Sequence, residues 1–171
     1  MTTAAATERP DEPPSTSGRV VVGVDGSSGS REALRAAILA ADLRGDTVQV
    51  ITAPLSDTEL GAWGSAAWPA MPLPDPDRIV DAARDTARSM VADVLGELDG
   101  RLRTTPRVDV QAVPGNPARV LIEAARGADR LVVGHRGRGA VSSLVLGSVG
   151  LHCLADPPCP VTIVPPADDG S

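Results

Sequence analysis

Five short aliphatic runs recur along the chain with helical periods between them, and that alternation limits the fold more than any other feature. Val20 to Val24 carries no polar residue, whereas a strand with one wet face alternates apolar and polar positions. Val48 to Ala53, Val108 to Val113, Leu131 to Val133 and Val161 to Val164 complete the set. Between the first two runs, Asp25-Gly26-Ser27-Ser28 forms a turn with capping residues. Ala33, Leu34, Ala37, Ile38 and Ala41 then recur at helical spacing until Gly45. A longer helix follows from the stripe Val80, Ala83, Ala87, Met90, Val91, Val94 and Leu98. Asn116-Pro117 reads as an N-cap with proline in the first turn, opening a helix through Ala125, and a short helix spans Val149 to Leu154. Strands alternating with helices predict an α/β fold, an open five-stranded parallel sheet with helices on both faces. In such sheets a ligand sits beyond the carboxyl ends of the strands, where strand order reverses.

Residues 1–18 are polar and proline-rich and read as a disordered leader, leaving one domain over 19–165 and a short tail at 166–171. The segment from Pro54 to Pro76 holds both tryptophans, Trp63 and Trp68, and reads as a long loop. Absences narrow the chemistry. All 16 basic residues are arginine, so a Walker A lysine, a Schiff base and a Ser-x-x-Lys nucleophile are excluded. Two tryptophans with no Phe or Tyr argue against stacking recognition of single strands. The net charge is −6, and Glu8, Asp11, Glu12, Asp168 and Asp169 against Arg9 hold most of that excess at the two ends. A nearly balanced domain is a poor binder of phosphate backbones, so no nucleic-acid partner is expected. Two cysteines, no membrane-spanning run and no signal-like leader predict a cytoplasmic protein with no membrane partner. Cys153 and Cys159 read as packed thiols.

The fourth strand runs into Gly134-His135-Arg136-Gly137-Arg138-Gly139, and Gly147-Ser148-Val149 follows an apolar stretch. Glycines at a strand end let backbone approach a ligand. A helix opening at Gly147-Ser148 directs N–H donors at an anion, a larger effect than the ~0.3–1 kcal/mol of the exposed helix dipole. Arg126, Arg130, Arg136 and Arg138 make the region basic. These features predict a phosphate site. The spacing is not G-x-G-x-x-G, no G-x-S-x-G elbow occurs, and His135 and His152 lack partners at metal-binding spacing. Ser27 and Ser30 read as helix caps, and Asp25 as either a cap or a ligand contact.

Gly134, Gly137, Gly147 and Ser148 match G-x2-G-x9-G-(S/T), and with Val22 to Ser27, Asn116-Pro117-Ala118 and Cys159-Pro160-Val161 the chain resembles the universal stress protein family over about residues 19–165. The resemblance implies a Rossmann-like sheet of the adenine nucleotide alpha-hydrolase type, order 3-2-1-4-5, forming a homodimer through strand 161–164. It also implies ATP between the first and fourth strands, with AMP or cyclic AMP as the alternative. Gly23, Val24, Asp25, Ala53 and Val133 would then line the nucleoside side. Gly134, Arg136, Gly137, Gly147, Ser148 and Val149 would surround the phosphates, with Asp25 beside ribose or a nucleotide-borne Mg²⁺. Gly150 stands where many relatives carry Ser or Thr. The expected role is a nucleotide-dependent stress sensor or regulator, not an enzyme beyond very slow ATP hydrolysis; the rival is a slow ATPase or autophosphorylating enzyme using Asp25 and Mg²⁺.

Overall fold

The computed structural model describes residues 17–54, 75–135 and 146–165. Most of the expected leader, Trp63 and Trp68, the tail from Pro166, and Arg136, Gly137 and Arg138 lie outside the described residues.

The sheet has five parallel strands in the order β3-β2-β1-β4-β5: β1 Arg19–Gly23, β2 Thr47–Thr52, β3 Val108–Ala112, β4 Arg130–Gly134 and β5 Val161–Val164. The non-alternating strands fall in the middle, as burial on both faces requires: Val20, Val21 and Val22 of β1 and Leu131 and Val132 of β4 are all buried. Edge strand β3 alternates instead, with Asp109 and Gln111 exposed, so it is not apolar throughout. Its Gln111 lies along a groove of about 800 Å³ beside the third helix.

Each helix begins and ends on local chemistry. Helix α1, Ser28–Arg44, starts where Ser27 Oγ accepts the Ser30 N–H at 3.1 Å, and stops at Gly45, whose φ of +72° favours glycine. Helix α2, Pro76–Glu97, is capped by Asp75 with Pro76 in its first turn, and α3, Pro117–Ala124, by Asn116 with Pro117. Helix α4 is Ser148–Ala155. α1 and α2 cover one face, where Leu34, Ile38, Val94 and Leu98 meet Val20, Val22, Val48, Val50 and Val132. Leu121 of α3 and Cys153 of α4 meet Val21, Ile51, Leu131 and Val133 on the other.

Two carboxylates fix the amino end of the sheet. Asp46 Oδ1 accepts the Gly18 N–H at 2.8 Å and Asp129 Oδ2 the Arg19 N–H at 2.8 Å, which ties the entries of β1, β2 and β4 together. Gly18, on the leader side of the sequence boundary, is therefore anchored. The opposite, carboxyl end holds the candidate site.

Candidate functional site

Strand order reverses between β1 and β4, because α1 leaves β1 on one face while the chain from β4 returns through α4 on the other. The turn after β1 brings Gly23, Val24 and Asp25 to this crevice. Val24 donates its N–H to the Ile51 carbonyl at 2.9 Å and buries its side chain, so only its backbone can face a ligand. Asp25 Oδ1 accepts from the Ser27 N–H at 3.0 Å and the Ser27 hydroxyl at 2.6 Å. Gly26 sits at φ +85°, in the region that favours glycine. Ser30, 4% exposed, accepts the Asp25 N–H at 3.3 Å and donates to the Ser27 carbonyl at 2.9 Å. The carboxylate thus shapes the turn that launches α1, and Ser27 and Ser30 act as caps. Ala53 follows β2 at the same edge, half-buried.

On the β4 side, Val133 is core and offers only backbone. Gly134 has no room for a side chain: a Cβ there would lie 2.6 Å from the Gly29 carbonyl oxygen and 2.7 Å from its carbon. The glycine therefore lets β4 press against the backbone of α1. At Gly23 a Cβ would meet Leu121 Cδ1 of α3 at 2.7 Å, so this glycine too serves helix packing.

His135 pins the two ends of the following loop through its main chain. Its N–H donates to the Val164 carbonyl at 2.7 Å, and its carbonyl accepts the Gly147 N–H at 2.9 Å. Gly147 is the N-cap of α4 and supplies no side-chain cap. An anion at this helix start would therefore meet the N–H groups of Ser148 and Val149 rather than that of Gly147. Ser148 is exposed and Val149 half-buried. His152 holds its Nδ1 at 2.7 Å from the Ser148 carbonyl, a structural contact. At Gly150 a Cβ would approach Leu146 Cδ1 to 2.9 Å, the movable end of a side chain that would shift to admit a larger residue.

The structure thus brings Gly23, Val24, Asp25, Ala53, Val133, Gly134, Gly147, Ser148 and Val149 to the carboxyl edge of the sheet, while Arg136 and Gly137 lie outside the described residues. Sequence reasoning missed the roles of Gly29 and of the His135 main chain. Backbone contacts leave no residue-type signal, so only the glycine opposite Gly29 hinted at one. Among the described residues no group of three or more His, Cys, Asp and Glu could hold a metal. A single carboxylate suits Mg²⁺ only when phosphates and water complete the shell. Burial pushes the Cys153 thiol up to about 11, and Cys159 is raised by burial as well, so both fit packed thiols.

An open parallel sheet with glycines at its switch point belongs to the class of doubly wound α/β folds, in which ligands bind beyond the carboxyl ends of the strands. Comparison with known proteins makes the assignment narrower. The universal stress protein family model matches residues 16–165, and the chain belongs to that family. A universal stress protein of Mycolicibacterium smegmatis is 33% identical over 147 residues, covering 85% of this chain and 47% of that protein. The chain spans less than half the length of that relative and of a matching protein from Mycobacterium tuberculosis, while the match to a Thermus aquaticus universal stress protein, 46% identical, is confined to 65 residues, 47% of that protein. Among solved structures, a universal stress protein in complex with cAMP matches with a TM-score of 0.54 and 24% identity, over 90% of this chain and all of that one. An Arabidopsis thaliana family protein with AMP bound matches with a TM-score of 0.54 and 16% identity, over 89% and 94%. At these identities the structural matches establish the fold.

Proposed function

We propose that this chain is an adenine-nucleotide-binding module that acts as a nucleotide-dependent sensor or regulator of a stress response, not as a catalyst. The observation that carries the reading is the convergence at the switch point of three elements: the Asp25 turn, the backbone-tight Gly134 and the N-terminus of α4, which has no side-chain cap. The glycine signature Gly134, Gly137, Gly147 and Ser148 is intact in sequence. ATP is the proposed ligand, with Asp25 at the ribose or at a nucleotide-borne Mg²⁺ and Ser148 and Val149 at the phosphates. The proteins described with cAMP and with AMP support a shorter nucleotide as the alternative, which needs fewer phosphate donors and tolerates a residue at 150, Gly150, that brings no hydroxyl.

Efficient phosphoryl transfer needs an in-line nucleophile, a metal anchor and cationic stabilisation of the departing charge. Among the described residues the crevice offers the Asp25 carboxylate and no metal-holding group, and the sequence has no lysine. Turnover should fall far below the roughly 1–100 s⁻¹ of kinases. The proposed setting is the cytoplasm, without a membrane or nucleic-acid partner; no helix among the described residues is long and apolar enough to cross a membrane. The proposed assembly is a homodimer through strand 161–164, since β5 is a sheet edge bordered by β4 alone.

Mass spectrometry of nucleotide released from the purified protein tests the ligand. Single-turnover hydrolysis of labelled ATP by wild type and Asp25→Asn tests the enzyme question. A fast wild-type rate that collapses in Asp25→Asn would mean that the site is catalytic and would overturn the binding-module reading; the rival kept beside it is a slow ATPase or autophosphorylating enzyme using Asp25 and Mg²⁺.

A further inference from the structure

On the face of the sheet that carries α3 and α4, α3 packs against β1 and β2, with Leu121 on Val21 and Ile51. The strip beyond it is polar: Gln49 of β2 stands in register with Asp109 of β3, and Asp109 and Gln111 are exposed. This strip floors the groove of about 800 Å³, which runs from Arg19 at the amino end of the sheet to Asn116 at the carboxyl end and shares no residue with the candidate nucleotide site. From the level of Arg19, paired with Thr47, to that of Val113, beside the end of β2, the floor rises six residues. That is about 20 Å at 3.3 Å per residue.

The chemistry of the groove is one-sided. The Arg19 guanidinium donates to Gln49 Oε1, to the Ala124 carbonyl at 2.9 Å and to the Arg126 carbonyl at 2.8 Å, so neutral acceptors hold it and its charge is not cancelled. Arg119 has no ion-pair partner among the described residues, and Arg126 has Glu123 at 3.0 Å. Three arginines thus stand against one glutamate along the groove. At its outer margin the Asp109 carboxylate accepts from Gln111 Nε2 at 2.7 Å. The neutral groups are donors as well. Arg19 occupies Gln49 Oε1, and the Arg119 N–H occupies Asn116 Oδ1 at 3.2 Å, so both amides keep their NH₂ ends for a ligand. The groove therefore suits an extended segment that is anionic, rich in acceptors and poor in donors.

The chain carries such a segment at the mouth of the groove. Residues 1–16 enter β1 through Ser17 and Gly18, directly beside Arg19. Glu8, Asp11 and Glu12 stand there against Arg9 alone, and Pro10, Pro13 and Pro14 offer carbonyls without an N–H. At about 3.1 Å per residue in polyproline geometry, Glu8 to Pro14 spans roughly 22 Å, the length of the floor, and Ser15 to Ser17 remain to turn over the edge of the sheet. We propose that residues 8–14 dock in this groove of the same chain, with Asp11 and Glu12 beside Arg19 and Arg126 and Glu8 at Arg119. Attachment a few residues away gives an effective concentration in the millimolar range, so contacts too weak to hold a separate acidic peptide hold this one.

Paramagnetic broadening in the full chain tests the contact. A nitroxide on Thr7→Cys, in a Cys159→Ser background that leaves only the buried Cys153, should extinguish the amide signals of Gln111, Val113 and Arg119 at low salt. The amides of α2, on the opposite face, should be spared. Salt that shortens the screening length from about 10 Å at 0.1 M to about 3 Å at 1 M should restore the lost signals. Arg119→Glu, folded by circular dichroism, should restore them too. No broadening in the groove, or broadening spread evenly over both faces at the amino end of the sheet, would overturn the docking. Loss of the same signals in an isotope-labelled wild type mixed with a spin-labelled, isotopically unlabelled copy would assign the groove to the leader of another molecule and overturn docking within one chain. Signals that stay lost both at 1 M salt and in Arg119→Glu would overturn the charge pairing.

Discussion

Replacing Gly134 with alanine isolates one methyl group at the centre of the site. Its Cβ would stand 2.6 Å from the Gly29 oxygen, 2.7 Å from the Gly29 carbon and 3.2 Å from the Ser30 nitrogen, all of them backbone. Carbon contacts are comfortable only from about 3.5 Å, so the end of β4 and the first turn of α1 must separate by most of an ångström. Neither can move alone. The first turn of α1 is tied by the Ser27 and Ser30 caps, and β4 lies between β1 and β5. Overpacking against such neighbours costs about 1–3 kcal/mol, and the upper half of that range applies where no side chain can yield. Lost unfolded-state freedom returns about 0.4–1 kcal/mol. The net loss of about 1–2.6 kcal/mol should lower Tm by about 2–10 °C in a calorimetric or circular-dichroism melt. Gly23→Ala is the internal control, because its Cβ meets only the movable end of Leu121 and should cost less. A Gly134→Ala protein as stable as wild type, or Gly23→Ala as the more damaged of the two, would refute the close-approach argument.

Asp46→Ala should cost about 1–3 kcal/mol, read by urea denaturation. The carboxylate is 6% exposed, and its loss orphans the Gly18 N–H; the other oxygen only faces Arg44 Nε at 3.2 Å, so Arg44→Ala should change stability far less. Hydrogen bonds from Arg31 and then Arg35 hold the Glu97 carboxyl below its ordinary value, and the backbone N–H groups of Arg103 and Thr104 do the same for Asp42. A depressed carboxyl contributes stability above its unfolded value and loses it as pH falls through the folded one. Tm should therefore drop below about pH 4, with a shallower acid slope in Glu97→Gln. Iodoacetamide at pH 8 should label native Cys159 before Cys153, whose thiol is raised by burial to about 11, and Cys153 should react only on unfolding.

Strand identity and sheet class were legible because burial on both faces suppresses alternation, and β1 and β4 are where that signal is cleanest. β3 shows the limit: Asp109 and Gln111 mark it as an edge strand, a distinction that depends on neighbours far along the chain. Helix starts at Ser27 and Asn116 were legible because caps are local chemistry, whereas the Asp75 cap was missed and Pro76, the first residue of α2, was read as the end of the preceding loop. Glycine marks special backbone at Gly134 and Gly23, and what the sequence did not show is their packing role, the room they leave for α1 and for Leu121. The clamp of Asp46 and Asp129 on the start of β1 was not legible at all, since it joins residues 28 and 110 positions apart through backbone donors.

The central claim is that an adenine nucleotide binds at the β1–β4 crevice. Calorimetric titration of ATP, AMP and cyclic AMP into nucleotide-free wild type and into Gly137→Val tests it most directly, because the valine leaves the composition of the crevice otherwise intact. Saturable binding of at least one nucleotide, one per chain, is predicted for wild type and should be lost in a Gly137→Val protein that still melts cooperatively. No heat with any of the three nucleotides, or equal affinity in the folded Gly137→Val protein, would contradict the claim.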